Sequence, residues 1–173
     1  MPAQYEANAQ LSSQVASLIG RVSQKLMACG TMLATAESCT GGLAAAHCTE
    51  VSGSSAWFVG GVVAYANGVK EQVLGVPGAV LAAHGAVSGP VVEAMARGVC
   101  RVTGAGVGVA VSGVAGPTGG SVEKPVGTVW VAAVMAGEQE RVLVQRFVFA
   151  GNRGQVREQA VQAMLEMVEA VLG

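Results

Sequence analysis

The chain contains no aspartate; all 11 of its acidic residues are glutamate. A Ser-His-Asp triad is therefore excluded, leaving only a glutamate version, and magnesium sites built on aspartate are excluded too. Histidine is nearly as scarce. His47 and His84 are the only two, and neither has an evident carboxylate partner in the sequence, so both read as structural or surface residues. Lysine occurs three times (Lys25, Lys70, Lys124) and tyrosine twice (Tyr5, Tyr65). Charged residues make up only 12% of the chain, against a usual share of about 25%. Hydrophobic residues reach 51%, which excludes intrinsic disorder. A formal net charge of -1 supplies no global attraction to nucleic acid or to an anionic membrane.

Other absences bound the compartment and the cofactors. The longest unbroken apolar run, Val129 to Ala136, falls far short of the roughly 20 residues of a membrane helix. The opening M-P-A-Q-Y-E-A-N-A-Q has neither the basic run nor the apolar core of a signal peptide, so a cytoplasmic protein is expected. Cys29, Cys39, Cys48 and Cys100 form no C-x-x-C pair, and no histidine stands at ligand spacing from a cysteine pair. They read mostly as small buried hydrophobes, and no metal and no cofactor are expected.

What is abundant is alanine, valine and glycine, the last with 25 positions. The length of 173 residues suits one domain with a real core. Residues 1–10 are expected to be a flexible lead-in and residues 11–173 a single domain. Leu11, Val15, Leu18, Ile19, Val22 and Leu26 recur at helical offsets and predict a helix that stops at Gly30. Short strands are expected over Met32–Ala36, Val59–Tyr65 and Val107–Ser112. Helices are expected over Leu43–Val51, Asn67–Leu74 and Pro77–Ala83, with another from an N-cap at Ser88 to Thr103. Val126–Ala136 and Arg141–Phe149, joined by Gly137–Glu140, predict an antiparallel hairpin. Val156, Ala160, Val161, Met164, Leu165 and Val168 mark a final helix. This order argues for an α/β fold, a three-layer α/β/α sandwich with a mixed β-sheet.

Three segments could carry chemistry. Glu37-Ser38-Cys39-Thr40-Gly41-Gly42 falls at a strand-to-helix turn. The unpaired amides of the helix start there suit an oxyanion or a phosphate. The plainer reading is that Ser38 or Thr40 caps the helix. Cys39 could in principle be the nucleophile, with a buried thiol as the plainer alternative. Tyr65-Ala66-Asn67-Gly68-Val69-Lys70 follows the second strand, the usual edge for sites in α/β sheets. A desolvated lysine there can accept a proton and a tyrosine can relay it; otherwise Lys70 is a surface lysine and Tyr65 a core aromatic. Ser112-Gly113-Val114-Ala115-Gly116-Pro117-Thr118-Gly119-Gly120 follows the third strand, as an anion-binding loop or a plain surface turn. Ser121-Val122-Glu123-Lys124 matches the S-x-x-K acyl-transfer pattern, but Pro125 bars the helical conformation which that pattern needs.

Taken with G-S-S-A-W-F (53–58), H-G-A-V-S (84–88), K-P-V-G-T-V-W (124–130) and G-N-R-x-x-V-R (151–157), these segments resemble the CinA C-terminal domain family, the nicotinamide-nucleotide amidases also called PncC. The resemblance covers about residues 11–172. It implies an α/β/α fold and metal-free hydrolysis of the carboxamide of nicotinamide mononucleotide. By position it implies Ser38 as nucleophile, activated by Tyr65 and Lys70. Thr40, Gly41 and Gly42 would supply amides near the oxyanion. Glu37, Asn67, Ser112, Gly113, Gly116, Pro117, Thr118, Gly119, Gly120 and Thr128 would surround the substrate. Arg153, at the start of the last helix, is a candidate cationic partner for the substrate phosphate, with a plain surface role as the equal alternative. One departure is Ala66, where the family commonly has serine. The competing expectation is a non-catalytic pyridine-nucleotide-binding module linked to competence or DNA damage. Direct DNA binding is disfavoured by the charge balance. Apolar residues left over from one small core suggest a homo-oligomer, most simply a dimer.

Overall fold

A computed structural model describes the backbone of residues 3–173 and the side chains from residue 13 onward. The first helix, α1, spans Ala3–Ala28, so it begins ahead of the start expected at Leu11. The expectation of a flexible segment over 1–10 concerns positions whose side chains lie outside the described residues. Then follow β1 (Leu33–Glu37), α2 (Leu43–Thr49), β2 (Phe58–Val63), α3 (Asn67–Gln72), α4 (Gly78–His84), α5 (Gly89–Thr103), β3 (Val107–Gly113), β4 (Thr128–Met135), β5 (Arg141–Val148) and α6 (Arg153–Leu172).

The five strands form one mixed sheet in the order β2-β1-β3-β4-β5. β1 pairs parallel with both β2 and β3, and β4 pairs antiparallel with β3 and β5. Alternation along β1 sends Leu33 to one face and Ala34 and Ala36 to the other. The first face packs under α1, α2 and α6 through Val15, Leu18, Val22, Cys48, Met164 and Val168. The second packs under α3 to α5 through Leu74, Val91, Met95 and Val99. These are the three expected layers. On the second face the sheet residues are small, and α5 comes in close. A Cβ on Gly108 would stand 2.4 Å from the Ala96 carbonyl oxygen, so only glycine fits there.

The path of the chain fixes where a ligand can sit. From β1 it crosses one face to β2, then returns over β1 on the opposite face to β3. Opposite directions on opposite faces give both crossovers the same hand. The carboxyl ends of β1, β2 and β3 therefore share one edge. Between β1 and β3 the outgoing connections diverge, the position where open α/β sheets leave a crevice. Among the described residues no helix is long and apolar enough to cross a membrane.

Candidate active site

Ser38 is the first residue past β1, at that divergence. Its amide donates to the Val111 carbonyl at 3.1 Å, extending the β1–β3 ladder, while the Ala64 amide donates to Glu37 O at 2.7 Å on the other flank. The turn that follows depends on Gly41 and Gly42, whose φ values of 62° and 94° favour glycine. It delivers the chain into α2, and the cap of α2 comes from an unexpected residue. The Glu37 carboxylate, 1% exposed, accepts from the amides of Gly42 (2.9 Å), Ala44 (3.1 Å) and Ala45 (2.9 Å). The Thr35 hydroxyl donates to it as well, at 3.3 Å.

This corrects three expectations. Neither Ser38 nor Thr40 caps the helix, because Glu37 reaches the orphan amides from the end of the strand. Glu37 is occupied inside the fold rather than directed at a ligand. The amides expected near an oxyanion are partly spent: Gly42 donates to Glu37 (2.9 Å) and Gly41 donates to Ser38 O (3.1 Å). Among the described residues nothing accepts from the Thr40 amide. The Thr40 hydroxyl is buried without a partner as well.

Lys70 is brought to Ser38 by α3. It is 1% exposed, and its Nζ lies 2.7 Å from Ala64 O, 3.0 Å from Tyr65 O and 3.3 Å from Ser38 Oγ. Among the described residues no carboxylate forms an ion pair with it. Burial lowers its pKa from the ordinary 10.5. Three acceptors thus surround Nζ: as an ammonium it donates to all three, and as a neutral amine with both N–H groups on the carbonyls it turns its lone pair to the Ser38 hydroxyl. Cys39 is buried and its thiol is pushed up to about 11, chiefly by that burial, so the neighbouring sulfur stays protonated.

The other expected residues are distributed unevenly. Tyr65 meets Lys70 through its carbonyl alone; its side chain is 62% exposed, and no hydrogen bond joins the phenol to Ser38 or Lys70. Asn67 is exposed at the first position of α3. Ala66 is the N-cap of α3 and offers no side-chain cap, so the serine common in the family would supply a helix cap here. Ser112 is the penultimate residue of β3, buried at 1%. Gly113 is confined: a Cβ there would lie 2.7 Å from the Thr128 carbonyl oxygen. Pro117, Thr118, Gly119 and Gly120 are exposed, and the Gly116–Pro117 peptide is cis. Thr128 is fully buried, and its hydroxyl has no partner among the described residues. Arg153 is tied to this loop, with Nη1 donating to Gly116 O at 2.9 Å.

Ser121 and Lys124 form a tight turn, with the Ser121 amide donating to Lys124 O (2.9 Å) and the Lys124 amide to Ser121 Oγ (3.1 Å). The Lys124 ammonium points away to His84 O at 3.1 Å, so the S-x-x-K match does not bring the lysine side-chain nitrogen to the serine hydroxyl. Ser88 sits at the N-cap position of α5 but donates to Gly85 O (2.8 Å) instead of capping. Two residues escaped the sequence reading. His47 lies between Glu158 (3.1 Å) and Glu50 (3.4 Å), linking α2 to α6. Arg157 donates from Nε (3.2 Å) and Nη2 (2.6 Å) to the carbonyl of Thr40. Only the repeated arginine of G-N-R-x-x-V-R pointed to it.

The chain is 48% identical over 155 residues to the nicotinamide-nucleotide amidohydrolase PncC of Escherichia coli (strain K12), covering 89% of this chain and 92% of that one. It is 52% identical to a CinA-like protein of Gemmatimonas aurantiaca over 78% of this chain but 31% of that protein. It thus spans about a third of the length of such CinA-like relatives. The crystal structure of competence/damage inducible protein CihA from Agrobacterium tumefaciens superposes with a TM-score of 0.87 at 40% identity, covering 91% of this chain and 95% of that one. The CinA C-terminal domain family matches residues 15–172, nearly the whole chain, and the protein belongs to that family.

Proposed function

We propose that the protein is an amidohydrolase that converts nicotinamide mononucleotide to nicotinic acid mononucleotide and ammonia through an acyl-enzyme on Ser38. The observation that carries this reading is the buried Lys70 Nζ, within hydrogen-bond distance of two carbonyls and of Ser38 Oγ. Kinship with nicotinamide-nucleotide amidohydrolases of nearly the same length supplies the substrate.

An unactivated serine attacks an amide too slowly, so the hydroxyl must lose its proton as the bond forms. Lys70 takes that proton while Oγ adds to the carboxamide carbon. The oxygen of the tetrahedral intermediate is negative and needs a donor that no internal acceptor has claimed; the Thr40 amide meets that condition. Lys70 then returns its proton to the departing nitrogen, which leaves as ammonia. Water attacks the acyl-enzyme, Lys70 accepts its proton and passes it to Oγ, and the carboxylic acid is released. The Tyr65 phenol carries no proton in this scheme.

The test is ammonia release from nicotinamide mononucleotide by the purified protein, with Ser38→Ala alongside. Turnover in the wild type and its loss in a variant that still binds substrate by calorimetry is the expected result. Binding without turnover in the wild type would favour the non-catalytic module.

A further inference from the structure

We infer that Arg157 is a positioning residue for the Ser38 turn, fixing the backbone that presents the nucleophile and the free Thr40 amide. The inference rests on the reading of Ser38 as nucleophile and adds a residue 117 positions away from Thr40 in the chain.

The argument begins with the turn's freedom. Two consecutive glycines with φ of 62° and 94° give the Thr40–Gly41–Gly42 backbone unusual latitude, and the intervening peptides can rotate at low cost. A site for acyl transfer cannot tolerate that, because misplacement of about 1 Å costs about 100-fold in rate. Glu37 restrains the helix side of the turn through Gly42, Ala44 and Ala45. From α2 the Thr40 carbonyl accepts a single long bond, from the Leu43 amide at 3.3 Å. Arg157 adds two N–H groups on the same oxygen, at 3.2 and 2.6 Å.

Arg157 is not needed merely to join the two helices. α2 and α6 already share the first-face core through Cys48, Ala160 and Val161, and the His47–Glu158 contact at 3.1 Å links them at the surface. Arg157 forms no ion pair among the described residues. Its guanidinium is committed to a neutral carbonyl beside the nucleophile, at a place where two parallel donors set direction as well as distance.

The experiment uses Arg157→Met and Arg157→Lys in the full chain. Two readouts are taken: steady-state hydrolysis of nicotinamide mononucleotide, and the rate at which a fluorophosphonate probe labels Ser38, followed by mass spectrometry. In Arg157→Met we expect kcat and the labelling rate to fall at least ~10-fold, with KM within ~3-fold and the thermal midpoint nearly unchanged. Arg157→Lys keeps the charge but only one donor can align, so it should recover less than half of the loss; it also serves if the methionine variant does not fold. Unchanged kcat and labelling overturn the inference. So does a raised KM at constant kcat, which would make Arg157 a substrate contact, and so does full recovery by lysine. If the wild type labels but releases no ammonia, the nicotinamide-nucleotide reading falls while the labelling ratio still decides Arg157. If the wild type does neither, Ser38 is not a nucleophile and the positioning inference falls with it.

Discussion

The chain holds two serine–lysine pairs, and they differ in every respect that chemistry notices. Ser121 and Lys124 have the spacing of an acyl-transfer motif, yet their turn is exposed and the ammonium points at His84 O. Ser38 and Lys70 are 32 residues apart with no motif spacing, yet Nζ lies 3.3 Å from Oγ in the protein interior. Burial lowers the pKa of Lys70, and its partners there are two carbonyls and the Ser38 hydroxyl. In the proposed mechanism a lysine becomes a base through its surroundings, and spacing in the sequence is only one way of arranging them.

The contrast can be broken most sharply at Lys70. Lys70→Met and Lys70→Arg should each lower kcat by about 10^4-fold, the arginine variant because guanidinium cannot give up its proton. Ammonia release under saturating substrate measures it; survival of the arginine variant would mean that Lys70 acts only as a charge. Next in size is the pH dependence. The reactive form is the neutral amine, and burial lowers its pKa, so kcat should rise about tenfold per pH unit on the acid side and level off above a midpoint below 10.5. A rate that falls as pH rises through that range would reverse the roles. Glu37→Gln removes the charged cap and one or more of its bonds, and should cost about 1–3 kcal/mol of stability in urea unfolding, with kcat several-fold lower as the turn loosens. Smallest is the effect at the decoy. Ser121→Ala with Lys124→Met should leave kcat within about twofold and stability within about 0.5 kcal/mol; a large drop there would restore the motif.

Much of the framework could be read directly from residue patterns. Period and punctuation located the helices and strands to within a few residues, because the apolar stripe of α6 and the β4–β5 hairpin are local signals. The start of α1 was misplaced because polar residues ahead of Leu11 carry no stripe. The site was legible by family resemblance more than by spacing. Ser38 stands in a short motif, but its partnership with Lys70 depends on β1 and β2 lying side by side, a tertiary fact. Glu37 as a helix cap was missed because capping rules look at the residue flanking the helix, whereas Glu37 lies beyond the glycine turn and reaches back. Arg157 and the His47–Glu158 contact join positions more than 100 residues apart, beyond any local pattern. Tyr65 was read beside Lys70 as a relay, but its backbone rather than its ring makes the contact.

The β4–β5 turn has a practical consequence. Register places Val129 beside Gly113 at the site edge and Met135 beside Val107 at the far edge, so Gly137–Glu140 emerges at the end of the sheet remote from Ser38. Those turn residues are exposed, and Ala136 is already anchored to Gly106 O at 2.8 Å before the turn begins. A reporter or affinity module spliced between Gly137 and Glu138 would hang from the end of the sheet opposite Ser38, leaving the candidate site unobstructed.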